Sequence, residues 1–102
     1  MEQRFKEAYK KFLETWGVDM QSIMAIEEMS ELTKAICKEK RCRGISGKHE
    51  EALVNIKEEI ADVLNVAEQL AYVYGEEEIE EIRNQKIERT LNKIKEEKCR
   101  KK

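Results

Sequence analysis

The chain has 102 residues, of which 41% are charged and 40% hydrophobic, and it contains no proline. This hydrophobic share excludes a disordered chain, and the length fits a single domain over residues 1–102. The net charge is −2 with acids and bases interspersed, so there is no long basic tract for nucleic acid. No apolar run reaches membrane-spanning length, and we expect neither a nucleic-acid nor a membrane partner.

Glycines divide the chain into expected helices. A proline-free chain rich in Glu, Lys, Leu and Ile is typical of an all-helical protein. We expect Gly17 to end the first helix and Asp19 to cap the second. Gly44 and Gly47 mark a loop, and Gly75 ends the third helix. The expected helices cover residues 2–16, 20–41, 48–74 and 76 into the tail, which we expect to fray from about residue 96.

The third expected helix is apolar over most of its circumference. Its apolar residues are Leu53, Ile56, Ile60, Val63, Leu64, Val66, Ala67, Leu70, Ala71, Val73 and Tyr74. A helix with so wide an apolar arc is buried by more than one neighbour, which four helices of a short chain hardly supply. We therefore predict an all-α, four-helix bundle-like chain that assembles into a homodimer or a dimer of dimers, that is, a homotetramer.

The cysteines indicate the compartment. Cys37, Cys42 and Cys99 are odd in number, and the spacing of the first two does not fit a zinc finger. The first residues lack the apolar segment of a signal peptide. We therefore expect reduced thiols and a cytoplasmic protein.

Two acidic motifs carry the functional prediction. Glu28 and Glu31 lie three residues apart in the second expected helix, and Glu59 and Asp62 do so in the third. Residues at this spacing are neighbours on a helix surface. Glu28 and Glu59 also fall within apolar stripes, where ionised carboxylates are costly unless they are paired or bind a metal. If the two helices face each other, the four side chains converge and suit Mg²⁺ or Mn²⁺.

The motifs and their surroundings resemble a known family. An ExxE motif lies within residues 26–32 (IEEMSEL), an ExxD motif within residues 58–64 (EEIADVL), and a basic KxxR element at residues 86–89 (KIER). In this order they resemble the MazG-like all-α nucleoside-triphosphate pyrophosphohydrolases, and the resemblance covers about residues 16–95.

The resemblance implies an enzyme. Such proteins hydrolyse a nucleoside or deoxynucleoside triphosphate between the α and β phosphates, which gives the monophosphate and pyrophosphate, as nucleotide-pool house-cleaning. The resemblance implies that Glu28, Glu31, Glu59 and Asp62 are the catalytic residues and hold Mg²⁺. It also implies a helical bundle that dimerises or tetramerises, with active sites built from two chains in many members.

Three basic residues are candidates for binding the phosphates. Lys38 shares the bearing of Glu31 two turns further on, roughly 10 Å along the helix axis. Lys86 lies on the apolar stripe of the fourth expected helix, and Arg89 follows three residues later. A surface ion pair is an equal alternative for each of them.

Three further residues are candidates for binding the nucleoside. The stretch WGxxxQ, with Trp16 and Gln21, resembles the segment before the first motif in relatives, where side chains help to line the nucleoside site. Asn65 follows Asp62 by one turn and is placed to hydrogen-bond a sugar or a base. The alternatives are an inter-helix anchor for Trp16 and a polar helix contact for Asn65.

Two other functions compete with the enzyme. A non-catalytic helical interaction module would use the acidic clusters to bind a partner. A di-iron carboxylate bundle would need Glu-x-x-His motifs, and the single histidine, His49, lies outside both acidic motifs. Release of pyrophosphate from nucleotides distinguishes the enzyme from both.

Overall fold

The fold is entirely helical. The computed structural model describes residues 1–100 and forms three helices, α1 (Gln3–Cys42), α2 (Lys48–Tyr74) and α3 (Glu76–Arg100). The predicted all-α class is confirmed, and the described residues contain no strand. None of these helices combines the length and the apolar character needed to cross a membrane. The last two tail residues, for which fraying is expected, lie outside the described range.

Gly17 bends α1 instead of ending a helix. Four helices are expected, but residues 18 and 19 are helical, so the first two expected helices meet directly without a loop. Gly17 itself is non-helical, with φ 84° and ψ 161°. Only glycine adopts these dihedrals at low cost, so the chain changes direction at this residue. The expected four-helix chain is therefore a chain of three helices, the first of which is kinked.

The α1 and α2 helices pack against each other through small side chains. Ala25 and Ala35 of α1 and Ala52 of α2 are fully buried, and they allow the two helices to approach closely. α3 packs on the end of α2, and its residues 80–100 are exposed. Lys6 and the N-terminal amino group pair with Glu76 at 3.1 and 3.4 Å, which connects the start of α1 to α3.

An ion-paired corner joins the end of α1 to the start of α2. The Glu39 side chain is only 7% exposed, and its Oε1 accepts a hydrogen bond of 3.0 Å from Arg43 Nε. His49 Nε2 lies 3.3 Å from the same oxygen. The hydrogen bond from Arg43 is the main reason that the pKa of Glu39 lies below its usual value. The corner therefore ties the end of α1 to the start of α2.

The kink at Gly17 yields the first prediction. Replacing Gly17 with alanine places a Cβ in a conformation that only glycine adopts readily, although no neighbouring atom lies within 4 Å. We expect the free energy of unfolding to fall by about 1–3 kcal/mol, measured by urea denaturation. Glu14→Ala, at an exposed helical position of the same helix, should change it by less than about 0.5 kcal/mol. If Gly17→Ala is as stable as the wild type, a Cβ at residue 17 causes no strain and this prediction is wrong.

Candidate metal and nucleotide site

Three carboxylates from two helices meet where α1 and α2 face each other. Glu28 of α1 and Glu59 and Asp62 of α2 each offer an oxygen, and the three oxygens lie within 4.8 Å of one another. The close α1–α2 packing brings the two motifs together, as the sequence predicts for these three residues. We call these residues the carboxylate cluster. Oxygen donors grouped in this way suit a hard divalent cation.

Glu31 lies at the edge of the carboxylate cluster. Its side chain is exposed, and its Oε1 is 3.5 Å from the Lys34 ammonium nitrogen. Its negative charge nevertheless contributes to raising the pKa values of both Glu28 and Glu59. The fourth predicted ligand is therefore near the cluster but outside the tight group of three.

The carboxylate cluster is electrostatically unfavourable as it stands. Burial is the main reason that the pKa of Glu28 is raised, and the charges of Asp62 and Glu59 add to it. Burial likewise raises the pKa of Glu59, with Asp62, Glu31 and Glu58 as the charged contributors. The Oε2 atom of Glu59 is buried and has no hydrogen-bond partner in the protein. Such an oxygen has lost its water without compensation, which favours a cation or a proton beside it.

A cavity of about 420 Å³ adjoins the carboxylate cluster. Glu28 and Asp62 belong to the cluster and also line the cavity, so the cavity and the cluster are continuous. One side of the cavity is an aromatic wall made of Phe5, Tyr9, Phe12 and Trp16. The rings of Phe12 and Trp16 lie 5.8 Å apart between centroids. A surface of this kind stacks flat ring systems.

The predicted nucleoside residues all line this cavity. Trp16 belongs to the aromatic wall, and Gln21 and Asn65 supply polar groups. Gln21 Nε2 donates a hydrogen bond of 3.0 Å to Gln69 Oε1 across the two helices. Trp16 and Asn65 are exposed, whereas Gln21 is buried. The structure thus brings Asn65 of α2 to the same cavity as Trp16 and Gln21 of α1.

A second hydrogen bond joins the helices at the base of the aromatic wall. The Tyr9 hydroxyl donates to Glu68 Oε2 at 2.8 Å. Burial and this hydrogen bond raise the pKa of Tyr9 to about 12, so the hydroxyl remains protonated at neutral pH. The Tyr9 hydroxyl proton therefore stays in the hydrogen bond to Glu68.

The three predicted phosphate-binding residues lie elsewhere in the single chain. Lys38, Lys86 and Arg89 are exposed, and none of them lines the cavity beside the carboxylates. Lys86 and Arg89 are on α3, which packs on the end of α2. A single chain does not bring these residues to the carboxylate cluster.

Gln69 and the aromatic residues Phe5, Tyr9 and Phe12 are cavity residues that the sequence does not single out. The signal for Gln69 is its spacing, because Asp62, Asn65 and Gln69 follow one another at three and four residues and so share one helix face. The aromatic residues follow the apolar stripe of α1, which indicates burial but not a ligand cavity.

Comparison with known proteins returned no match to any family model, curated protein or solved structure. The resemblance to a family therefore rests on the two motifs and their surroundings. The proposed function is based on the geometry of the site.

The raised pKa values predict how the metal-free protein responds to pH. The folded protein holds its protons on Glu28 and Glu59 more tightly than the unfolded chain does, so stability falls as pH rises from 4.5 through their raised pKa values. We expect Glu59→Gln to be more stable than the wild type at pH 7, with the difference disappearing below pH 4.5. Urea denaturation with a chelator, from pH 4 to 8, measures this difference.

Glu27→Gln is the matched control for that experiment. Glu27 is the exposed neighbour of Glu28, lies outside the carboxylate cluster and is not among the charges that raise the pKa values of Glu28 and Glu59. Its substitution should leave the pH dependence close to that of the wild type. A Glu59→Gln protein that is less stable than the wild type at pH 7 would contradict the unfavourable charge assigned to Glu59.

Proposed function

We propose that the protein is a cytoplasmic, Mg²⁺-dependent nucleoside-triphosphate pyrophosphohydrolase. It would hydrolyse nucleoside or deoxynucleoside triphosphates between the α and β phosphates, giving the monophosphate and pyrophosphate. The main support is the continuity of two features: a group of carboxylates from two helices and a cavity with an aromatic wall. A nucleotide with Mg²⁺ has a cation at its phosphate end and a flat ring at the other end, which would match the carboxylates and the aromatic wall.

The donor set fits Mg²⁺, and Mn²⁺ as its substitute. Glu28, Glu59 and Asp62 offer only carboxylate oxygens, and the partnerless Oε2 of Glu59 has an unmet demand for positive charge. These three residues would hold the ion, with Glu31 beside them. When bound, the ion neutralises phosphate charge and lowers the pKa of a bound water.

The other residues position the substrate and handle the proton. The aromatic wall stacks the base, and Asn65 is placed to hydrogen-bond the sugar or the base. A carboxylate that is not a ligand must accept a proton from the attacking water. Glu31 is exposed at the edge of the carboxylate cluster, and we assign this role to it.

Assembly into a homodimer or homotetramer belongs to the same proposal. Ile26 of α1 is 61% exposed, and Val54 and Leu64 of α2 are each 57% exposed. Large apolar side chains exposed on both packed helices indicate a protein contact. A second copy would cover the wide apolar arc of α2. Lys86 and Arg89 would then reach the phosphates from a neighbouring chain, and Lys38 remains a third candidate.

The activity is tested with a panel of ribo- and deoxyribonucleoside triphosphates. We expect monophosphate and pyrophosphate as products, and no reaction once a chelator removes Mg²⁺. Glu59→Gln should lower kcat/KM by at least about 100-fold, because losing a partner that only supports a metal ligand already costs 10- to 100-fold. Glu58→Gln should retain the wild-type rate. No hydrolysis of any nucleotide would favour a partner-binding module, and orthophosphate as the product would assign a different bond.

The assembly is tested by size-exclusion chromatography with light scattering. We expect the mass of two or four chains for the wild type. Leu64→Glu should give a folded monomer, because a charge placed in an apolar contact loses its water without a partner. Lys57→Glu, an exposed charge change on the same helix, should leave the mass unchanged. A well-folded wild-type monomer would rule out the assembly.

A further inference from the structure

Two glutamines form a buried amide pair on the wall of the cavity. Gln21 is 9% exposed and Gln69 is 4% exposed, and both line the cavity. Their mutual hydrogen bond uses the nitrogen of Gln21 and the oxygen of Gln69. Each amide has one oxygen with two lone pairs and one nitrogen with two N–H groups, so the Gln21 oxygen remains a wholly free acceptor and the Gln69 nitrogen a wholly free donor.

These free groups are open to the cavity. In the described chain, the fully buried side-chain atoms without a partner are the Oε2 atoms of Glu39 and Glu59 only. The remaining amide atoms of Gln21 and Gln69 are therefore accessible, although both residues are buried. A donor and an acceptor held side by side in a mostly apolar cavity are adapted to a ligand that returns both hydrogen bonds.

The amide pair can reverse its polarity. A half turn about the Cγ–Cδ bond (χ3) of both glutamines exchanges oxygen and nitrogen on each side chain, and this torsion is roughly two-fold. The hydrogen bond between the glutamines is kept, but the free donor moves to Gln21 and the free acceptor to Gln69. Across residues 1–100, no other side-chain hydrogen bond to either amide holds the pair in one direction.

The two polarities correspond to the two kinds of nucleobase edge. Cytosine and adenine present an amino donor beside a ring-nitrogen acceptor. Uracil and hypoxanthine present a keto acceptor beside a ring N–H donor, which is the reverse order. Proteins that take a base into a cavity read this edge by hydrogen bonds and hold the ring by stacking.

We infer that Gln21 and Gln69 form a reversible reader of the base edge, so that the cavity accepts amino and keto bases alike. The inference rests on the proposed function for the triphosphate end of the ligand, and it names the substrate class as nucleotides irrespective of amino or keto base. A fixed hydrogen-bonding site rejects an analogue with unmatched polar groups by about 10⁴-fold or more. Near-equal binding is thus a distinctive expectation.

Binding is measured without turnover, through the fluorescence of Trp16, which is the single tryptophan and part of the aromatic wall. The wild type is titrated with dCMP against dUMP and with dAMP against dIMP, in the presence of Mg²⁺, and the affinities are checked by calorimetry. We expect the two dissociation constants within each couple to agree within about threefold, since the pair compensates for the reversed edge. A difference above about 30-fold in either couple, or no saturable binding, would overturn the inference.

Glutamine-to-methionine variants test whether the amide pair binds the base or only stabilises the contact between the helices. Gln21→Met and Gln69→Met keep the side-chain size and remove the amide. Each should therefore weaken the binding of both nucleotides of a couple by about tenfold. Gln85→Met, on the exposed part of α3, should have no effect. If the variants are less stable but bind with unchanged affinity, the pair only holds the helices together and the inference fails. If the variants do not fold, the dissociation constants measured on the wild type for the two nucleotides of each couple still decide whether the inference holds.

The outcomes for this inference and for the proposed function are separable. Equal binding within each couple without any release of pyrophosphate would reject the enzyme and keep the reversible reader. Release of pyrophosphate with strict preference for one member of a couple would keep the enzyme and reject the reader.

Discussion

The close packing of α1 on α2 is the constraint on which the rest of the structure depends. Small alanines at the contact let the helices approach, and that approach forces Glu28 against Glu59 and Asp62. Charged Glu28 and Glu59 oppose folding at this distance, because burial and the neighbouring carboxylates both raise their pKa values. A chain that keeps such a cost inside its main helix contact departs from the rules of stable packing, and departures of this kind are typical of functional sites.

The cavity and the carboxylate cluster act as one site because they share Glu28 and Asp62. A ligand that fills both would place positive charge, its own or that of a bound cation, beside the carboxylates and a flat part against the aromatic wall. The cavity lining also includes the amides of Gln21, Asn65 and Gln69, which offer hydrogen-bond partners beside the aromatic rings.

Much of the fold follows from helical periodicity and glycines. The predicted range of the second described helix, residues 48–74, agrees with the structure. Gly17 marks a real change of direction, but a glycine alone does not show whether the helix stops or resumes at once. The resumption depends on residues 18 and 19, which adopt helical conformation without a loop.

The site is only partly predictable, because spacing fixes the face of one helix but not its rotation against another. The acidic motifs are recognisable because each is local in sequence, and the structure brings three of the four carboxylates together. Gln21 and Gln69 are 48 residues apart, so their pairing depends on the register of α1 against α2. Lys38, Lys86 and Arg89 do not line the cavity, and where a helix face points depends on packing that local spacing does not encode.

The carboxylates lie between two sets of contacts that hold α1 against α2. On one side the corner of Glu39, Arg43 and His49 closes the connection, and on the other Tyr9 and Gln21 of α1 bond to α2. The gap between the motifs is therefore set when the chain folds, before any ligand arrives. Preorganisation of this kind spares any incoming ligand the entropy cost of ordering the site, so that more of the contact energy appears as affinity.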